Sequence, residues 1–164
     1  DPLDDIFITP TFESAAEVIE AGADIVAVDC TIRPSRGFDQ LAELLRRVRE
    51  AYPETPIMAD LATLDEAIRV ADAGLVDIIS TTLSGYTRQS TDAPLDRPNY
   101  QMIRDIKAHT DLPVNGEGRV WEVAELRQML EAGADMVTIG SAVTRPHLIT
   151  ERFVKCNEEY QNHH

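Results

Sequence analysis

The chain has 164 residues, 43% of them apolar and 27% charged, with a formal net charge of −14. That composition excludes the disordered and fibrous classes and gives enough chain for one globular domain, and no apolar run approaches the roughly 18 residues of a membrane helix. The acidity argues against a nucleic-acid partner, since phosphate backbones are bound by clustered Lys and Arg, but leaves room for a small phosphorylated ligand, which needs only a local cluster of donors.

The opening Asp1-Pro2-Leu3-Asp4-Asp5 lacks the basic-then-apolar order of a secretory signal, so a cytoplasmic protein is expected. A first helical pattern ends at Ala21-Gly22 and leads to a strand near Ile25 to Asp29. The next helix carries Phe38, Leu41, Leu44, Leu45 and Val48 at spacings of three and four, before a strand near Ile57 to Asp60. Thr63-Leu64-Asp65-Glu66 is a capping box that starts a third helix, which ends at Ala73-Gly74 ahead of a strand near Asp77 to Thr81. A helix with Met102, Ile103 and Ile106 precedes a strand near Val114 to Gly116, and one ending at Ala132-Gly133 precedes a strand near Met136 to Gly140. The recurring Ala-Gly is one kind of joint: a glycine able to take the left-handed cap, then an apolar strand.

Short apolar strands alternating with helices predict a parallel α/β sheet covered on both faces, with right-handed crossovers. No linker or composition break divides residues 1–164, so a single domain is expected. Five parallel strands fit an open doubly wound sheet, or part of a barrel that needs eight strands and about 250 residues. The repeat pattern does not choose between them.

In both architectures ligands bind where strands end, and the strand-end residues are polar: Asp29-Cys30-Thr31, Asp60, Thr81 to Thr87, Asn115 to Arg119, and Gly140 to Pro146. The last two turns suit a phosphate. Gly116, Gly118 and Gly140 let backbone approach a ligand, helix N-termini follow, and Arg119 and Arg145 add charge. Glu117, between two glycines, reads as an acid or base if burial raises its pKa, or as a salt-bridge partner of Arg119. Asp29 and Asp60 read as site carboxylates or as caps that orient their neighbours. Tyr86 opens the longest loop, Ser84 to Pro98, which is long enough to be a lid and equally suited to ordinary surface, with a solvated tail at Arg88 to Ala93.

Cys30 and Cys156 are too few for a disulfide framework or a zinc cluster, and are expected to be reduced thiols. His109, His147 and the terminal His163-His164 show no metal spacing, so no metal is expected, and the terminal pair is given no function. There is no dinucleotide fingerprint, no P-loop and no nucleophile elbow. Trp121 is expected to pack.

Taken together, Phe7-Ile8-Thr9-Pro10-Thr11, Val28-Asp29-Cys30-Thr31 with Arg33-Pro34, Ile57-Met58-Ala59-Asp60 with Ala62-Thr63, Thr81 to Thr87, Glu117-Gly118-Arg119 and Gly140 to Pro146 resemble the N-acetylmannosamine-6-phosphate 2-epimerase family over nearly the whole chain. The resemblance implies a phosphate-binding (β/α)₈ TIM barrel of which this chain carries the last five βα units, strands 4 to 8. It implies interconversion of N-acetylmannosamine 6-phosphate and N-acetylglucosamine 6-phosphate in sialic acid breakdown, by removal and return of the C2 proton without a cofactor. Carried over, Glu117 is a catalytic acid or base with Asp60 as a catalytic partner. Arg145 with the backbone of Gly118, Gly140 and Ser141 holds the phosphate; from the reading of the strand ends themselves, Asp29, Thr82, Tyr86 and Arg119 are expected to complete the substrate site.

The family's proton-abstracting lysine belongs to its first three strands, and neither Lys107 nor Lys155 is placed to replace it. The chain alone is therefore expected to be inactive, and an open barrel edge would favour association or a homo-oligomer. Two other readings stand beside this one: a non-catalytic phosphosugar-binding or assembly module, and another phosphate-binding barrel isomerase or lyase.

Overall fold

The computed structural model describes residues 5–6 and 8–162. The acidic opening up to Asp4, Phe7 of the Phe-Ile-Thr-Pro-Thr string, and His163-His164 lie outside the described residues. In chain order the elements are α1 (Phe12–Glu20), β1 (Val26–Asp29), α2 (Phe38–Ala51), β2 (Ile57–Asp60), α3 (Leu64–Asp72), β3 (Ile78–Ser80), a 3₁₀ turn (Arg88–Ser90), α4 (Tyr100–His109), β4 (Val114–Glu117), α5 (Val123–Glu131), β5 (Met136–Thr138), α6 (Ser141–Thr144) and α7 (Pro146–Asn162). Each of the expected strands forms, within a residue or two of its expected bounds.

The five strands pair in parallel in the order β1-β2-β3-β4-β5. This sequential order has no reversal, and a doubly wound sheet owes its two helical layers to one. With crossovers of one hand, sequential order puts the helices on one side, where α1 meets α2, α3 meets α4, and α4 meets α5. The expectation of cover on both faces is therefore corrected. Val26, Val28, Ile57, Ala59, Ile79 and Val114 share the buried core with Leu41, Leu45 and Val48 of α2, Val70 of α3, Ile103 and Ile106 of α4, and Met129 of α5. Their strand neighbours Ala27 and Met58 are half-buried, and Met136 and Thr138 are exposed. Truncating one fully buried side chain such as Leu45 to Ala would cost about 2–5 kcal/mol.

The helix-to-strand joints follow the sequence signal. Gly22, Gly74 and Gly133 have φ of +97°, +63° and +108°, and after α5 the Gly133 and Ala134 N–H groups donate to the carbonyls of Leu130 (3.0 Å) and Met129 (3.1 Å), the paired bonds of a Schellman cap. A second device sets register. Asp77 accepts from the Ile57 N–H at 2.7 Å and pairs with Arg49; Asp135 accepts from the Val114 N–H at 2.8 Å and pairs with Lys107 at 3.1 Å. Each carboxylate thus ties a strand's start to the neighbouring strand and to the preceding helix.

The capping box of α3 reaches further than its own helix. Thr63 Oγ1 accepts from the Glu66 N–H, while the buried Glu66 carboxylate accepts from the N–H groups of Ala62 (3.1 Å), Thr63 (3.0 Å) and, from the turn after β1, Ile32 (2.7 Å). Two strand-end turns are joined by one side chain. α7 buries no residue; Phe153 and Tyr160 on it are exposed, and Arg152 reaches back to Glu122 and lies over the Trp121 ring, 4.8 Å from its centroid. Among the described residues, no helix is long and apolar enough to cross a membrane.

Candidate active site

At the carboxyl ends of β3, β4 and β5 lies a cleft of about 450 Å³ lined by Thr82, Leu83, Tyr86, Glu117, Gly118, Arg119, Val120, Trp121, Thr138, Gly140, Ser141 and Arg145. Eight of the residues expected from the sequence to form the site are in this lining: Thr82, Tyr86, Glu117, Gly118, Arg119, Gly140, Ser141 and Arg145. Asp60 lies behind it and joins through a hydrogen bond. Asp29 does not line it.

The polar layer behind the cleft is built by register. Asp60 is opposite Ser80, Ser80 opposite Asn115, and Glu117 opposite Thr138, so these side chains project from the same face of adjacent strands. Thr82 Oγ1 lies 2.7 Å from Asp60 Oδ1, 2.7 Å from Ser80 Oγ and 3.2 Å from Glu117 Oε2. Asn115 Nδ2 donates to Ser80 Oγ at 2.9 Å and to Glu117 Oε2 at 3.3 Å, and its Oδ1 accepts from the Thr138 hydroxyl at 3.0 Å. Thr81 fixes the β4 end, its hydroxyl donating to the Glu117 carbonyl (2.9 Å) and accepting from the Glu117 N–H (3.0 Å).

Both carboxyl groups are poised above the usual range. Burial pushes Asp60 up to about 6; the neighbouring Glu117 and Asp29 carboxylates add to the rise, and the hydroxyls of Thr82 and Ser80 oppose it. Burial likewise raises Glu117, against hydrogen bonds from Thr82 and Asn115. A carboxyl group raised above its ordinary range by burial can both give and take a proton.

Arg119 does not take the part of a salt-bridge partner of Glu117. It has φ +60° directly after Gly118 at +108°, and this left-handed pair turns the side chain toward the loop after β3. There Nη1 donates to the Ser84 carbonyl at 2.8 Å, and the guanidinium lies over Tyr86, 4.7 Å from the ring centroid. Among the described residues no ion pair joins Arg119 to Glu117. The loop itself is held by Ser90, a buried residue in a stretch expected to be solvated, whose Oγ accepts from the Gly85 N–H at 2.9 Å.

Asp29 takes the other course anticipated for it, orienting its neighbours. It accepts from the N–H and hydroxyl of Thr31 (2.9 and 2.6 Å) and pairs with Arg33 (3.3 Å) and Arg36 (3.2 Å), all buried. Asp60 does not cap α3, whose N-cap is Thr63. Ser80 and Thr138 have no signal in the sequence beyond being polar residues in strands, while Asn115 reads there only as part of a polar strand end. Trp121, expected to pack, lines the cleft half-buried. Of the lysines, Lys107 is tied to Asp135 and Lys155 lies exposed on α7; neither lines the cleft. Among the described residues no three His, Cys, Asp or Glu side chains are grouped to hold a metal ion.

A family model described as "Putative N-acetylmannosamine-6-phosphate epimerase" matches residues 2–159. A protein of Caldanaerobacter subterraneus subsp. tengcongensis named "Putative N-acetylmannosamine-6-phosphate 2-epimerase" is 46% identical over 148 residues, 90% of this chain and 61% of its own length. The solved structure of the N-acetylmannosamine-6-phosphate 2-epimerase from Clostridium perfringens superposes with a TM-score of 0.78 at 32% identity, covering 93% of this chain and 64% of that one. An aldolase, QR15, superposes with a TM-score of 0.62 at 18% identity over 87% of this chain and 66% of its own, a likeness of fold alone. The chain thus spans less than two thirds of the length of each of these proteins.

Proposed function

Because this chain belongs to the N-acetylmannosamine-6-phosphate epimerase family, we propose that its strand-end cleft binds N-acetylmannosamine 6-phosphate and serves its epimerisation at C2 to N-acetylglucosamine 6-phosphate, a step of sialic acid and amino-sugar breakdown. The observation that carries this reading is a raised, half-buried carboxyl, Glu117, opening into the same cleft as Arg145 and the Gly140-Ser141 turn. In the open-chain sugar the C2 proton is next to the C1 carbonyl. Its removal leaves an enolate, and return of a proton to the opposite face inverts the centre. This is proton chemistry, suited to a carboxyl group that burial holds above its ordinary range.

The phosphate is held by Arg145, by the backbone of Gly118 and Gly140, and by Ser141 at the start of α6, where the first helical N–H groups lack intrahelical acceptors. Glu117 exchanges a proton at the reacting centre and Asp60 tunes it from behind. Tyr86, held by Arg119, forms the outer wall, and Thr82 lies between the two carboxyl groups. Asp29 acts at a distance, by fixing Arg33 and Arg36 in the turn after β1. In architecture, residues 1–164 read as a single domain equivalent to strands 4 to 8 of a (β/α)₈ barrel, a reading supported by the sequential strand order and the one-sided helices. The exposed edge at β5 is then the surface for association.

A second reading, a phosphosugar-binding module without turnover, is favoured by one observation: neither lysine lines the cleft. One experiment separates the two. The chain is incubated with N-acetylmannosamine 6-phosphate in deuterated water while binding and deuterium at C2 are followed by NMR. Binding with exchange, lost in Glu117→Gln, supports the epimerase; binding without exchange, weakened in Arg145→Ala, supports the module. Absence of both overturns the cleft as a phosphosugar site.

A further inference from the structure

The hydrogen-bond network behind the cleft has a direction set by proton count. The Thr138 hydroxyl donates to Asn115 Oδ1, which fixes the amide so that its nitrogen faces Ser80 and Glu117. Ser80 Oγ accepts from that amide, and its own proton goes to Thr82 Oγ1 at 2.7 Å or to Asp60. The single Thr82 proton then has two claimants, Asp60 Oδ1 at 2.7 Å and Glu117 Oε2 at 3.2 Å. If it goes to Asp60, the Glu117 oxygen meets a lone pair of Thr82 unless Glu117 carries a proton of its own. If it goes to Glu117, the same holds for Asp60. With both carboxyls ionised, one oxygen is left against a lone pair; with one proton between them, each contact is a hydrogen bond in either arrangement.

We infer that Thr82 is a proton bridge, through which Glu117 and Asp60 share one proton and pass it between them. In the transfer Glu117 gives its proton to Thr82 Oγ1 as Thr82 gives its own to Asp60 Oδ1. One O–H bond breaks and one forms at threonine, which is unchanged, while Glu117 becomes the carboxylate and Asp60 the acid. No net charge leaves the pair. Thr82 is therefore a positioning residue, and Asp60 becomes the proton reservoir of the carboxyl that faces the cleft. The inference gives these residues a part in the C2 chemistry proposed above and rests on that reading for its purpose; the bridge itself can be tested without turnover.

The surroundings favour a shared proton. On the β1 side the Asp29 carboxylate, which adds to the rise of Asp60, is itself paired with Arg33 and Arg36. At α3 the Glu66 carboxylate is occupied by three backbone N–H groups. On the β4 side the Arg119 guanidinium is turned away to Ser84 and Tyr86, and Arg145 lines the cleft beyond Glu117. Among the described residues, no cation forms an ion pair with Asp60 or Glu117, so the negative charge of the pair is moderated by the proton between them.

The test is a titration of the Asp60 and Glu117 side-chain carboxyl carbons by ¹³C NMR in the chain, in Thr82→Ser and in Thr82→Val. Two-step curves, each residue sensing the other, are expected for the native chain and for Thr82→Ser, which keeps the hydroxyl. In Thr82→Val both midpoints are expected to rise, because a donor to each carboxylate is gone, and the two-step form to collapse. Curves for Thr82→Val that superimpose on those of Thr82→Ser overturn the bridge. Should the valine variant not fold, Glu117→Gln in the native background reads the same coupling: the Asp60 midpoint is expected to fall below its value of about 6, and an unmoved midpoint overturns the inference. Neither readout depends on phosphosugar turnover, so a failed bridge and a failed epimerase reading are told apart.

Discussion

Arg119 lies over the face of Tyr86 at 4.7 Å from the ring centroid while donating to the carbonyl of Ser84, so the turn after β4 holds the loop after β3 by two contacts from one side chain. Gly85 lies between them with φ +82°, and a Cβ there would sit 2.7 Å from Arg119 Nη2 and 3.1 Å from a Leu95 methyl. Gly85→Ala is therefore expected to cost about 1–3 kcal/mol, part from the left-handed backbone and part from displacing the guanidinium. Urea denaturation of Gly85→Ala in the native and Arg119→Ala backgrounds separates the parts. The steric share should vanish in the second background, and equal costs in both would show that the guanidinium is not in contact.

Glu66 joins the turns after β1 and β2 through three backbone N–H groups. Glu66→Ala leaves these donors without their acceptor and is expected to lose about 2–4 kcal/mol. Glu66→Gln should lose less, because its amide oxygen still accepts on one side while its NH₂ opposes a donor on the other. Chemical denaturation of the two variants checks the order, and an alanine variant as stable as the glutamine one would contradict it.

Much of this arrangement was legible in the sequence, and the reason is local. The Ala-Gly joints, the helical spacing of Leu41, Leu45 and Val48, and the Thr63–Glu66 box are each decided by neighbouring residues and form as read. The sidedness of the sheet was not legible, because strand order is a property of pairing and the same repeat suits one helical layer or two. Glu117, Gly140 and Arg145 could be placed at the cleft because strand ends are where ligands bind in such folds. Ser80 and Thr138 could not, and the part Asn115 plays in joining them could not, since only register brings these strand residues into one network. Arg119 could be placed at the cleft but its contacts could not, since the left-handed backbone that turns it toward Ser84 is rare outside glycine.

The thiols should differ sharply in reactivity. Cys30 is fully buried, and burial pushes its thiol far above the ordinary range, the nearby Arg36 notwithstanding; Cys156 is exposed on α7. Thiolate is the reactive form. Ellman's reagent is expected to titrate one thiol per chain in the native protein and the second only after unfolding. Rapid reaction of both would place Cys30 in contact with solvent.

The raised carboxyl groups behind the cleft also set the pH dependence of stability. Asp60 is nearly fully buried and rises from an ordinary 3.8 to about 6, so the folded state holds its proton more tightly than the unfolded chain does. Its contribution is stabilising below about pH 4 and is lost as pH rises through about 6, an upper bound of about 3 kcal/mol. Glu117 and Glu66, both raised by burial, act in the same sense. Asp135, lowered by the Val114 N–H and by Lys107, acts in the opposite sense and matters only as pH falls toward and below its own value. The free energy of unfolding measured in urea is therefore expected to decline between pH 4 and pH 7. Asp60→Asn, an amide with no proton to lose, should flatten that decline while leaving the acid side unchanged. A variant with the native slope would mean that Asp60 is ionised in the folded chain throughout this range, and the proton assigned to the pair would have to reside on Glu117 alone.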